Sequence, residues 1–377
     1  MANTIDNPFV ITGYESPEYF CDRKNELSRL TEALENGRNV ILTSARRMGK
    51  TGLILHLFHQ LKKKQKNVTT IYMDLFSTQN LNEFTKMFAS SVLGQLDSDV
   101  TRIFKKFSSA IKGLRPILSI DELTGMPKVG VDIVSGQEGS TIAEVFKYLK
   151  QSERKCYIAF DEFQQVALYP EKNVEALLRS YIQNIHNVRF IFSGSRVHLL
   201  NEMFLSAKRP FYQSASSLAI GVIDEDEYWK FADSFFRKQG RNISREIFHS
   251  VYEQYEGHTW YIQKILNQIY GKGDRVIDET LVKEAIIDII RENEYYYQSL
   301  LGRYKNGQVK LLKAVALEGI VTEITAGAFI SRYELKAASS VKSALQRLLD
   351  DEILYKTDHG YIVYDRFFGQ WIASIYR

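Results

Sequence analysis

Thr43-Ser44-Ala45-Arg46-Arg47-Met48-Gly49-Lys50-Thr51 follows directly on the apolar run Asn39-Val40-Ile41-Leu42 and leads into the apolar helical stretch Gly52-Leu53-Ile54-Leu55-His56-Leu57-Phe58. A strand that ends in a tight turn and reopens as a helix aims several backbone N–H groups, and the positive end of the helix dipole, at one point in space. That is a phosphate site. In the pattern G-x-x-x-x-G-K-[ST] the lysine reaches the β- and γ-phosphates and the hydroxyl directs Mg²⁺, so Lys50 and Thr51 take those roles here. Ser44 stands where the first glycine usually does, which is compatible with the loop provided its φ is negative. The residues Ser44, Ala45, Arg46, Arg47, Met48, Gly49, Lys50, Thr51 and Gly52 form a candidate cradle for a nucleoside triphosphate. A bare basic turn, the plainer reading, does not account for the strand before it and the helix after it.

Phosphate binding alone is not hydrolysis, which needs a metal-directing carboxylate and a group that orients water. Asp161 and Glu162 follow the apolar strand Cys156-Tyr157-Ile158-Ala159-Phe160. That spacing puts Asp161 at the strand's carboxyl end, opposite Thr51, to hold Mg²⁺, with Glu162 beside it to polarise the attacking water. In isolation an Asp-Glu pair after a strand also serves as a loop start or a helix cap. Ser193, in Ser193-Gly194-Ser195-Arg196, ends the next strand and is a candidate sensor of phosphate state. A turn of small residues with a surface arginine is the alternative.

With 377 residues the chain is long enough for two or three domains. Strands expected at 39–43, 68–75, 156–160, 189–193 and 217–222 alternate with helices over 22–36, the loop helix, 82–115, 141–151 and 171–186. This predicts an α/β fold, a parallel sheet with helices on both faces and a ligand at the strands' carboxyl ends. The Gly- and Pro-containing stretch 116–140 is expected to be an irregular excursion. From Asp224 the pattern turns helical through 225–239, 244–255, 258–271 and 278–301. Helices at 307–318, 325–330 and 339–350, then a short hairpin at 353–364, have the pattern of a winged helix-turn-helix. The divisions are 1–223, 224–303 and 304–377.

The net charge of +4, from 49 basic and 45 acidic residues, excludes a broad electrostatic footprint for nucleic acid but not a local one. On the expected recognition helix the outward residues include Lys342, Ser343, Gln346 and Arg347, all able to contact DNA or a protein partner. Asp350-Asp351-Glu352 follows at once and would repel a phosphate backbone. Cys21 and Cys156 match no metal spacing and suit a reducing compartment. The first residues lack a signal-peptide pattern and no apolar run approaches a membrane span, so the expectation is a cytoplasmic protein without membrane contact. The 22 Tyr and 22 Phe are expected in core and lid packing.

Taken together these residues resemble the prokaryotic and archaeal ATPases of the AAA-related signal-transduction class over nearly the whole chain. The marks are Phe20-Cys21-Asp22-Arg23-Lys24-Asn25-Glu26-Leu27, Ala45 to Thr51, Phe160-Asp161-Glu162-Phe163-Gln164, Phe192-Ser193-Gly194-Ser195, Gly257-His258 and Tyr364-Asp365-Arg366-Phe367-Phe368-Gly369-Gln370-Trp371. The resemblance implies ATP as the nucleotide, with Phe20 and Arg23 near the adenine. It also implies a helical lid, opened by Gly257 and His258, over the nucleotide. Two departures stand out. Pro210-Phe211-Tyr212-Gln213-Ser214 occupies the place of the family's Leu-Tyr-Gly-Arg, which leaves Arg209 either as a substitute acting on a neighbouring subunit or as a solvated surface residue. Thr259 replaces the proline of Gly-His-Pro. The reading that follows is an ATP-dependent switch hydrolysing ATP to ADP and phosphate through Lys50, Asp161, Glu162 and Ser193. A DNA-binding regulator and a nucleotide-binding scaffold with little turnover are the alternatives.

Overall fold

The computed structural model describes residues 5–376 apart from 66, 97–113, 121–126, 274 and 358, with the backbone alone described over 114–131. The chain divides into two compact units, one of Val10–Tyr228 with His258–Trp260, the other of Phe9, Trp229–Gly257 and the residues from Tyr261 onward.

The first unit runs α1 (Lys24–Glu35), β1 (Val40–Thr43), α2 (Lys50–Lys64), β2 (Val68–Asp74), α3 (Leu81–Leu96), β3 (Leu114–Ile120), β4 (Pro127–Ile133), α4 (Glu138–Gln151), β5 (Lys155–Asp161), α5 (Val174–Ile182), β6 (Val188–Gly194), α6 (Val197–Leu205) and β7 (Ser216–Ala219). Five strands form a sheet in the order β2-β5-β6-β1-β7, and every neighbouring pair in it is parallel. Its central strands β1, β5 and β6 are buried along nearly their whole length because both faces are covered. Along β5, Cys156, Ile158 and Phe160 enter one core and Tyr157 and Ala159 the other; along β6, Phe190 and Phe192 are separated from Ile191 in the same way. Each isoleucine or phenylalanine so buried contributes about 1.5–3 kcal/mol.

Two expectations need correction here. The stretch 116–140 is not simply irregular, since β3 and β4 pair antiparallel from Leu114↔Ile133 to Ile120↔Pro127. The glycines and prolines that suggested irregularity are tolerated in a two-stranded ribbon with free edges. The helix expected over 82–115 is observed as Leu81–Leu96; residues 97–113 lie outside the described residues, and 114 and 115 belong to β3 rather than to a helix.

The second unit contains most of α7 (Glu225–Lys238), α8 (Arg245–Gln254), most of α9 (Thr259–Gly271), α10 (Glu279–Glu292), α11 (Glu294–Leu301), α12 (Asn306–Glu318), α13 (Gly327–Arg332), α14 (Ala338–Asp350), β8 (Leu354–Thr357), β9 (Gly360–Val363) and α15 (Arg366–Ile375). The single helix expected over 278–301 is two. Asn293 breaks it, its own side-chain amide donating to Ile289 O, an instance of an asparagine competing with the helix ladder. Phe9 is fully buried among Phe231, Phe235, Phe236 and Tyr270, so the residue before the first unit's opening loop belongs to the core of the second. In the β8–β9 wing β9 opens at Gly360, whose φ is +136° and where a Cβ would lie 2.6 Å from Val321 O. Asp365 caps α15 by accepting the Phe367 N–H at 2.9 Å. Among the described residues no helix is long and apolar enough to cross a membrane.

Candidate nucleotide site

The loop between β1 and α2 lies at the carboxyl edge of the sheet, flanked by β6 and β7. Gly49 opens α2 at φ +94°, a conformation that glycine takes without strain, and Ser44 has no positive φ, so the serine fits in the first glycine's place. It also contributes something that glycine could not. Lys50 Nζ lies 3.1 Å from Ser44 Oγ, 3.1 Å from Ala45 O and 3.3 Å from Ser44 O, folded back over the loop. Burial pushes the Lys50 ammonium below its ordinary pKa, against the opposing pull of Asp161 and Glu162. A buried cation that satisfies itself on loop carbonyls has a better partner in an anion placed at the same point.

Asp161 ends β5 almost fully buried and is the hub of the site. Its Oδ2 accepts from Thr51 Oγ1 at 2.6 Å and from Tyr72 OH at 2.8 Å, while Oδ1 accepts from Ser193 Oγ at 2.7 Å and from the Glu162 N–H at 3.1 Å. The Thr51 hydroxyl and the Asp161 carboxylate together are the hard oxygen donors that suit Mg²⁺. Asp74 stands in register with Asp161 across β2 and β5, and its carboxyl is raised by burial and by the charges of Asp161 and Glu162. A divalent cation would relieve that repulsion, so the residues fit the metal.

Glu162 sits in left-handed backbone at φ 52°, an uncommon conformation for a residue with a side chain. Its Oε2 accepts from Gln164 Nε2 at 2.5 Å and from the Ser195 N–H and hydroxyl at 3.2 and 2.8 Å. Ser44, Lys50, Thr51, Asp161, Glu162 and Ser193, widely separated in sequence, therefore form one constellation.

Phe20 and Arg23 occupy different positions around it. Phe20 lies over the first turn of α2, where a Cβ on Gly52 would be 3.4 Å from its ring, and it stacks on His56 at 4.3 Å between centroids. His56 is itself bonded to Tyr14 OH and Gln60 and forms part of an aromatic wall, and burial lowers its pKa. Arg23 is buried with φ 62°, and both terminal nitrogens bond to protein: Nη1 to Glu26 and to Gly221 O, Nη2 to Met48 O and to Thr259 Oγ1. Arg23 thus holds the phosphate loop in shape. Arg47 extends from the loop, also at φ 62°, to lie 4.3 Å above the Trp260 ring. His258 leads into Thr259 and Trp260, which make these contacts within the first unit. Gly257 belongs to the second unit, where its φ of +67° and the Gly257 N–H to Tyr252 O bond of 2.9 Å close α8. Thr259, which departs from the family's proline, supplies a hydroxyl to Arg23 that proline lacks.

Sequence reasoning gave no role to Tyr72, Gln164, Ser195 or Trp260. Tyr72 carries no local signal, because only the adjacency of β2 and β5 puts it beside Asp161. Arg209 forms an ion pair with Glu175 at 2.5 Å and lies 3.7 Å from Glu202, so its charge is already matched within its own chain. In the second unit, Lys342, Ser343, Gln346 and Arg347 are exposed on α14 as expected, opposite buried Val341, Leu345 and Leu348. Three of them are engaged: Arg347 pairs with Asp351 at 2.9 Å, Gln346 donates to Asp350 at 2.8 Å and the Ser343 hydroxyl donates to Ser339 O at 3.1 Å.

Comparison with known proteins bears on family and fold. The signature of a family described as "ATPase domain predominantly from Archaea" matches residues 20–265, and one described as "Probable winged helix domain" matches residues 295–374. No curated protein matches the chain in sequence. Among solved structures, the Walker-type ATPase paby2304 of Pyrococcus abyssi is similar over 97% of this chain and 99% of its own, at 18% identity and a TM-score of 0.64. Aeropyrum pernix ORC2, solved in ADPNP–ADP complexes, covers 98% and 96% at 16% identity and a TM-score of 0.58. Aeropyrum pernix ORC1, solved in complex with DNA, covers 98% and 97% at 14% identity and a TM-score of 0.55. At these identities the likeness is one of fold. With the phosphate loop, the buried aspartate opposite its threonine and the family signature over most of its length, the chain belongs to the P-loop ATPase family found predominantly in Archaea, here followed by a winged helix domain.

Proposed function

We propose that this protein is an ATP-dependent switch that hydrolyses Mg-ATP slowly and passes the change to a partner. The observation that carries the reading is the bonding of Asp161 to both Thr51 and Ser193, which joins the metal-binding and phosphate-sensing positions through one carboxylate. ATP would lie with its phosphates in the cradle Ser44 to Gly52 and its base toward Phe20. Lys50 leaves the carbonyls of Ser44 and Ala45 for the β- and γ-phosphates. Thr51 and Asp161 would hold Mg²⁺, which would supply neutralisation of the charge on the phosphate oxygens. Glu162 orients a water and takes its proton as the water oxygen bonds to the γ-phosphorus, the bond from that phosphorus to the bridging oxygen breaks, and ADP leaves with its electrons. Residues 224–303 act as the lid and 304–377 as the winged helix domain that a partner reads. Two buried free thiols, Cys21 and Cys156, suit the reducing cytoplasm.

The test is steady-state hydrolysis by the protein and by Glu162→Gln at equal nucleotide occupancy. We expect the variant to bind Mg-ATP normally and to lose turnover by about 10²–10⁴-fold, the usual contribution of a positioned acid–base group. Turnover that survives the substitution refutes the role of Glu162. Nucleotide bound without turnover in either protein means a scaffold or a switch awaiting a partner.

A second reading, DNA binding, has one observation in its favour, the exposure of Lys342, Ser343, Gln346 and Arg347 on α14. The ion pair of Arg347 with Asp351 and the acidic residues after the helix oppose it. We therefore expect retention on duplex DNA that is weak, independent of base sequence and unchanged in the Lys342→Ala/Arg347→Ala variant. Sequence-selective retention lost in that variant would establish a DNA-binding regulator instead.

A further inference from the structure

Gln164 closes the motif Phe160-Asp161-Glu162-Phe163-Gln164 and has no part in the chemistry described so far. It is nonetheless almost fully buried, and its amide nitrogen donates to Glu162 Oε2 at 2.5 Å. The same oxygen takes the N–H and the hydroxyl of Ser195, so three donors from two strand ends converge on one side of the Glu162 carboxylate. Gly194 is the last residue of β6, immediately before Ser195. Its φ is not positive, and it pairs within the sheet opposite Thr43, so its backbone has no need of glycine. The need comes from a neighbour, because a Cβ at Gly194 would stand 1.9 Å from Gln164 Oε1.

We propose that Gln164 and Ser195 are positioning residues that hold the Glu162 carboxylate by Oε2, leaving Oε1 to take up the water, and that Gly194 is glycine in order to admit the Gln164 amide. The proposal rests on the reading of Glu162 as the group that orients water. A carboxylate on a strained, left-handed residue has several rotamers open to it. Three directed hydrogen bonds select one of them before substrate arrives, and pre-selection of geometry acts on kcat rather than on binding. Ser195 also follows Ser193 by two residues on the same turn, so the group that bonds Asp161 and the group that holds Glu162 belong to one segment.

The test is a double-mutant cycle on kcat and KM for Mg-ATP hydrolysis with the full chain, alongside a nucleotide titration and a thermal melt. Gln164→Ala should lower kcat about 10–100-fold, the loss expected of a misplacement near 1 Å, with nucleotide affinity and KM unchanged. Gly194→Ala should lower kcat to a similar level, because the added methyl displaces the Gln164 side chain. In the Gln164→Ala background the same methyl has nothing to strike, so the double variant should be no slower than Gln164→Ala alone. Ser195→Thr, which keeps both donors, should retain most of the activity. Wild-type kcat in Gln164→Ala overturns the proposal, as does a Gly194→Ala effect that persists undiminished in the Gln164→Ala background. The two layers separate cleanly. Turnover that disappears in Glu162→Gln but not in Gln164→Ala removes this inference and leaves the role of Glu162 standing, whereas turnover that survives Glu162→Gln removes both.

Discussion

Lys50→Ala is expected to weaken Mg-ATP binding by at least about 100-fold, since two hydrogen bonds from a charged donor to phosphate contribute about 1.5–3 kcal/mol each. The fold should tolerate the change. Lys50 is buried and its pKa is pushed down by burial, which means that the folded state disfavours its charge; alanine removes that cost along with the bonds to Ser44 and Ala45. The expected pattern is therefore lost nucleotide binding in a calorimetric titration beside an unfolding midpoint equal to or above that of the unaltered protein. Affinity retained at the wild-type level would show that residues 44–52 are not the phosphate cradle. A collapse of the melting temperature would mean that Lys50 holds the loop together.

Asp161→Ala should have the opposite balance, damaging fold and activity together. The carboxylate is nearly inaccessible and accepts from the Thr51, Tyr72 and Ser193 hydroxyls and from the Glu162 N–H. Leaving one buried donor unsatisfied costs about 1–3 kcal/mol, and water entering the vacated space satisfies some of them, so a net loss of about 3 kcal/mol is expected in denaturant unfolding. Mg²⁺-dependent turnover should fall by at least about 1,000-fold, since electrostatic stabilisation is usually the largest single contribution to such chemistry. Asp161→Asn serves as the control for shape. It should recover much of the stability, because the amide oxygen accepts from some of the same donors, and none of the turnover, because the charge that directs the metal is gone. An alanine variant as stable as the parent would show that these hydrogen bonds contribute nothing net. An asparagine variant with normal magnesium dependence would move the metal site elsewhere.

The contrast between those two residues reflects how differently they were written into the chain. Lys50 is announced by its immediate neighbours, since strand, glycine, lysine and threonine are consecutive and their geometry is set by backbone bonding within a few residues. The same is true of the amphipathic α14, with Val341, Leu345 and Leu348 inward and Lys342, Gln346 and Arg347 outward. Where local signals conflicted, reading the sequence erred. Asn293 interrupts a run that is apolar-periodic on both sides, and the hairpin of β3 and β4 contains the glycines and prolines that usually mark a loop.

The sequence by itself determined the phosphate loop, the apolar strands that end in Asp161 and Ser193, the alternation that makes the sheet parallel, and the helices and wing that follow. Each of these depends on hydrogen bonds and side-chain periodicities that close within about one element. Only the tertiary structure decided that β2 lies next to β5, which brings Tyr72 to Asp161, and that the ends of β5 and β6 meet so that Gln164, Gly194 and Ser195 enclose Glu162. It alone decided that Arg23 is a brace on Met48, Gly221 and Thr259, far apart in the chain. Strand order is a property of how whole faces pack. The free energy that selects it is summed over the two cores, and no short stretch of sequence carries that sum.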